Sequence, residues 1–246
     1  MTRIARERWL HFALAVFISG CVYWGFFYTY IGPWIAAGPA QELSLAVHVH
    51  GVSFLAWYAL LFVQASLAMA RSMKLHRLLG YASIALVIVM VGSGMLVLGV
   101  RMRAGLGGSE PFWASFSLAI LSGLLLFGAY YVLALLRRNR PSEHRRLIVI
   151  AAATGSGAAI FRIFMVNFGF SDTVTVLGIL ATNLFIVAAA VGDKAITGKV
   201  HRTYKIGLAV ALSFEIAMLG LALTEPGVAL QRAIVRVLEP ALVLAQ

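Results

Sequence analysis

Seven apolar runs, each long enough to cross a bilayer, fill most of this 246-residue chain, and its positive charge collects in every second loop between them. A transmembrane helix needs about 20 apolar residues. Spans are expected near residues 9–30, 44–69, 78–100, 112–136, 146–168, 173–191 and 204–223. Chain breakers stand where the connections should be, at Gly32-Pro33, from Gly105 to Pro111, at Pro141 and at Gly198. Only 12% of the residues are charged and 61% are hydrophobic, whereas a soluble domain carries about 25% charged residues. Much of the surface must therefore meet lipid. No linker separates a second core, so residues 1–246 read as one all-α domain, a polytopic transmembrane bundle of seven helices.

The loops set the orientation. Arg3, Arg6 and Arg8 precede the first span; Arg71, Lys74 and Arg77 follow the second. Arg137, Arg138, Arg140, Arg145 and Arg146 follow the fourth, and Lys194, Lys199, Arg202 and Lys205 follow the sixth. These are 15 of the 20 basic residues. The opposite side holds Arg101, Arg103, Arg232 and Arg236, offset by Glu42, Glu110, Asp172, Glu225 and Glu239. Cytoplasmic loops are enriched in Lys and Arg. The N-terminus is thus expected in the cytoplasm, the C-terminus outside, and the protein in a bacterial inner membrane. The net charge of +11 is explained by insertion and contact with anionic lipid, with no role for nucleic acid.

Three features refine this outline. The first apolar run has small residues after it, at Ala36, Ala37 and Ala40, but is longer than a secretory signal core, so it reads as a retained helix. Trp9, Trp34, Trp113, Tyr28 and Tyr30 fall near span boundaries, where interfacial aromatics collect. Residues 227–246 place Gln231, Arg232, Arg236 and Glu239 along an apolar stretch and read as an interfacial amphipathic helix broken at Pro240. Cys21 is the only cysteine, which excludes an intrachain disulfide.

Three helices begin with one dipeptide: His76-Arg77, His144-Arg145 and His201-Arg202. The segments HVHGVSFLAWYALLFVQ, KLHRLLGYAS, GLGGSEPFW and RRNRPSEHRRLIVIAAATGSGAAIFRI carry a wider pattern. Over residues 45–205 this pattern resembles a family of uncharacterised bacterial multi-pass membrane proteins. The resemblance rests on His76, Arg77 and Gly80, then Gly107 and Gly108, then His144 and Arg145, then Arg162. An aromatic-Met pair common after the second His-Arg is replaced here by Arg146-Leu147. The resemblance implies a membrane bundle and brings no activity.

Charged and polar groups at membrane depth are costly, about 2.5–3.5 kcal/mol for Arg or Asp at a helix centre, and so mark candidate sites. At 1.5 Å per residue, Arg162 lies roughly 9 Å and Glu215 roughly 12 Å below the outer boundary. His48 and His50 lie roughly 6 and 9 Å down, and Asn183 roughly 15 Å. His50, Arg162, Asn183 and Glu215 thus share one layer of the outer leaflet and form the candidate ligand-binding set. Two residues are about 200° apart on a helix, so His48 and His50 cannot face one pocket. His50 is preferred because Phe54, Trp57, Leu61 and Gln64 continue its stripe. Such a pocket suits a lipid, a quinone or a similar hydrophobic small molecule. The plainer alternative is an Arg162–Glu215 ion pair that locks two helices.

At the inner boundary His76, His144 and His201 are candidate metal ligands, with Glu143 or Asp193 nearby in sequence, although the adjacent arginines would repel a dication. Helix N-termini beside arginines suit phosphate better, as in a lipid headgroup. Haem b or a divalent metal in a membrane oxidoreductase is the alternative function class. For bis-His haem, His11 could pair with His76, His144 or His201. No Walker loop, Gly-x-Ser-x-Gly elbow, His-Glu-x-x-His or dinucleotide fingerprint is present.

Overall fold

The computed structural model describes residues 2–38 and 43–242. Ala40 and Glu42, and the chain end at Gln246, lie outside the described residues. The described residues are 89% helical and contain no strand. Helix α1 (Arg3–Phe26) passes through a π-helical stretch (Phe27–Ile31) into α2 (Gly32–Ala37). Then come α3 (Leu45–Met69), α4 (Met73–Leu106), α5 (Pro111–Leu136), α6 (Pro141–Gly155) and α7 (Gly157–Phe168). The chain ends through α8 (Asp172–Leu180), α9 (Asn183–Thr197), α10 (Arg202–Ala222) and α11 (Glu225–Leu242). Among the described residues, six helical segments are long and apolar enough to cross a membrane, seven when the bent α6–α7 pair counts as one span.

Local chemistry sets the ends. The Thr2 hydroxyl accepts from the Ala5 N–H and Ser171 from the Val174 N–H, so α1 and α8 begin with side-chain caps. Pro111 and Pro141 occupy first-turn positions, where a missing N–H costs nothing. Gly198, at φ +82°, ends α9 and donates its N–H to the Lys194 carbonyl at 2.8 Å.

Three spans differ from their sequence outlines. The first runs over Arg3–Ala37 because the π-helical stretch continues it past Tyr30. The third extends over Met73–Leu106, about 51 Å at 1.5 Å per residue. The fifth is broken at Ser156, where α6 and α7 meet at 45°. There the Ser156 N–H turns to the Ala153 carbonyl, and the Ala152 carbonyl instead accepts from the fully buried Tyr58 hydroxyl at 2.8 Å. A buried backbone carbonyl needs such a donor. Tyr58 thereby makes the kink tolerable inside an apolar bundle.

The main core joins α1, α3, α5, α6, α9 and α10 around Ile18, Val22, Trp57, Tyr58, Phe127 and Ile186. Large apolar side chains also point outward, among them Phe17, Ile88, Leu136 and Val191. In water such a surface would be an aggregation liability; against lipid it is the required one. The tail departs from expectation. Instead of breaking at Pro240, α11 runs on to Leu242 and packs on α4, where Leu238 and Leu242 sit over Gly99. Its Gln231 is fully buried, accepting from the Ser117 hydroxyl and donating to the Ala114 carbonyl, both at 3.0 Å.

Candidate functional site

The four residues of the expected outer layer fall into two separate groups. In the first, His50 lies near the start of α3 and faces α4. Its Nδ1–H donates to the Met90 carbonyl at 3.0 Å, with the Ser93 hydroxyl 3.5 Å away. Gly94 makes room, since a Cβ there would come within 2.8 Å of the ring. From His50 an aromatic path leads to Phe54 (ring centroids 5.9 Å) and on to Phe26 (5.2 Å). The Arg162 guanidinium stacks on Phe26, with Cζ 4.5 Å from the ring centre.

Arg162 reaches Phe26 because α1 and α7 touch backbone to backbone. A Cβ at Gly25 would sit 2.3 Å from the Ala159 carbonyl oxygen, one turn before Arg162. Arg162 donates one hydrogen bond, to the Ala158 carbonyl at 2.7 Å. Among the described residues no carboxylate lies within 4 Å of it. His48 turns to the other side of α3, against Tyr30 and Trp34, with the Tyr30 hydroxyl 3.1 Å from its Nδ1.

The second group is a lock between α9 and α10. Asn183 (4% exposed) donates through Nδ2 to the Glu215 carboxylate (2% exposed) at 2.5 Å, and also to the Leu180 carbonyl. The expected Arg162–Glu215 ion pair is absent among the described residues. Shared depth did not mean shared direction: the bend at Ser156 turns α7 onto α1 and α8, while α10 packs on α5, α6 and α9. Alanine substitutions at Arg162 and Glu215 should therefore change detergent melting additively, to within about 0.3–0.5 kcal/mol. A cycle of Asn183→Ala with Glu215→Ala should show coupling of about 0.5–3 kcal/mol. Coupling in the first cycle and none in the second would reverse the assignment.

At the other end the histidines do not converge on a metal. His76 Nδ1 faces the Gln64 carbonyl (3.3 Å), His144 Nδ1 the Ala134 carbonyl (2.8 Å), and His201 Nδ1 accepts from the Thr203 N–H (3.2 Å) as the cap of α10. Among the described residues no group of three or more His, Cys, Asp or Glu side chains is placed to hold a metal ion. His11 is occupied by the Glu7 carbonyl (2.7 Å) and the Tyr204 hydroxyl (3.4 Å), which leaves it poorly placed as a haem ligand.

That same end holds a charge network the sequence reading missed. Arg146 (2% exposed) pairs with Asp193 (1% exposed), and also donates to the Ser142 carbonyl and hydroxyl at 2.7 Å. The other Asp193 oxygen accepts from the His201 N–H at 2.9 Å. Arg145 pairs with the buried Glu7, which Arg3 joins at 3.0 Å. Burial and the Arg146 charge hold the His201 imidazole below its ordinary pKa, so it is neutral at pH 7. One signal was available: Asp193 is the single acid in the otherwise basic sixth-to-seventh connection, and a lone acid at a membrane boundary needs a cation.

No family model, curated protein or solved structure matches this chain. The functional reading therefore rests on the site.

Proposed function

We propose that this is a seven-span bacterial inner-membrane protein, N-terminus inside and C-terminus outside, that binds a small amphiphile near its outer face through Arg162 and His50. One observation carries the reading: Arg162 holds a charge at membrane depth with an aromatic face beneath it and no carboxylate partner among the described residues. A guanidinium has five N–H donors, and among the described residues one of Arg162's is used within the protein. An uncompensated cation in a low-dielectric layer favours an anionic or carbonyl headgroup. Phe26 and Phe54 supply apolar surface beside it, and the His50 Nε2 lone pair is left for a ligand hydroxyl. Asn183 donates to Glu215, and the pair ties α9 to α10. The orientation follows the charge asymmetry of the loops.

The test is the lipid or quinone extracted from detergent-purified protein, by mass spectrometry. Arg162→Gln should lose the co-purified amphiphile by about tenfold or more, the equivalent of 1.4 kcal/mol or above. Equal occupancy in wild type and variant would remove the reading. Reporter fusions after Arg140 and Lys199 should register cytoplasm, and a fusion after Gly107 the outside; the reverse pattern would overturn the orientation.

The haem alternative has a specific observation in its favour. His144 donates its Nδ1–H to a backbone carbonyl, which leaves Nε2 as the ligating nitrogen, and His76 lies within its electrostatic reach. A Soret band lost in His144→Ala would establish haem at the inner end. Its absence from protein expressed with haem supplied would eliminate that reading.

A further inference from the structure

We propose that the inner end of the bundle carries a second site, separate from the amphiphile site, that binds a phosphate group. A cavity of about 400 Å³ opens there, lined by Arg3, Glu7, Arg145, Arg146, Lys199 and His201. Four cations thus face one carboxylate. Glu7 is fully engaged by Arg3 and Arg145, and Arg146 is held from behind by Asp193. Glu143, at the start of α6, is taken by Arg137 (3.2 Å) and Arg140 (3.4 Å) and does not line the cavity. The ion pairs therefore fix the arginines in place without cancelling the positive excess.

Two of the arginines that line the cavity keep unpartnered donors beneath its wall. The Nε–H groups of Arg145 and Arg146 are buried with no hydrogen-bond partner, and the Arg146 side chain is 98% buried from solvent. An unsatisfied N–H on a buried guanidinium is costly unless a ligand or water meets it. The His201 ring adds a further donor: Nδ1 accepts from the Thr203 N–H, so Nε2 carries the proton, 3.5 Å from the Ser142 hydroxyl. Lys199 is exposed at the rim and forms no ion pair among the described residues. Fixed guanidinium donors with an exposed ammonium at the rim match a phosphate, which offers about −1.5 to −2 charge and three acceptor oxygens. A divalent cation would be repelled.

The group could be presented as free phosphate or as the headgroup of a phosphomonoester lipid, and the experiment separates these. Full-length protein in neutral detergent is titrated with inorganic phosphate at constant ionic strength, the balance being chloride. In parallel, protein in phosphatidylcholine nanodiscs with or without phosphatidic acid is examined by native mass spectrometry. The double variant Arg3→Gln/Lys199→Gln removes two exposed cations and leaves the Arg145–Glu7 and Arg146–Asp193 pairs standing, so folding is preserved. Arg232→Gln, at the other end, controls for bulk charge. Saturable binding of inorganic phosphate identifies the free anion, and retention of phosphatidic acid alone identifies the headgroup. In either case the double variant should bind about tenfold more weakly, with Arg232→Gln unchanged. The proposal is overturned if wild type binds neither probe, if the double variant matches wild type, or if Arg232→Gln weakens binding equally.

Discussion

Replacing Arg146 by Met should cost about 3–5 kcal/mol, the usual penalty for leaving one member of a buried ion pair without its partner. Among the described residues, Asp193 would keep only the His201 N–H as a donor, at a position almost closed to solvent. The damage should reach three elements, since Arg146 belongs to α6, Asp193 to α9, and His201 begins α10. Removing both charges, as Arg146→Met with Asp193→Leu, should return most of the lost stability. The desolvation cost of each ion then disappears along with their attraction. Melting in detergent, followed by far-ultraviolet circular dichroism, measures both effects. A double variant no better than Arg146→Met would show that Asp193 is not the partner that matters.

Gly25→Val should be strongly damaging, because Gly25 stands where α1 meets α7. The contact it disturbs is with the Ala159 backbone oxygen, which has no rotamer to yield. Helices α1 and α7 would have to separate, at about 1–3 kcal/mol for an overpacked contact. Separation also draws Phe26 away from Arg162, so the co-purified amphiphile should fall together with the melting temperature. Gly20→Val, on the same helix with open space around it, is the control. Equal behaviour of the two variants would mean that α1 and α7 do not meet at Gly25.

Hydropathy exposed the spans because a bilayer admits only long apolar helices, and that demand is written residue by residue. The stripe through Phe54, Trp57 and Leu61 was also readable, since it is buried as the helical period implies. Contact between spans was not readable. Counting residues gives the depth of Arg162 and Glu215 but not their bearing around the bundle. The bearing of α7 depends on a 45° turn at Gly155, Ser156 and Gly157, whose small side chains also suit an unbroken span. The inner network was hidden for another reason. Arg145 and Arg146 stand in a basic run that insertion already explains, and their carboxylates lie 138 and 47 residues away. Adjacent arginines on a helix point in different directions, and here both meet acids carried by other spans.

The length of α4 has a mechanical consequence. To fit about 51 Å of helix within a hydrocarbon layer of about 30 Å by leaning alone would take a tilt of about 54°, beyond the 0–40° seen for membrane helices. Part of α4 must therefore project from the slab, and α11 is braced against this long post near Met102 through Leu238, Leu242 and the Arg103–Glu239 pair. Post and brace together act as a collar. They tie the α4 end to the tail, so a thicker or thinner bilayer should change how much of α4 projects without parting the two helices.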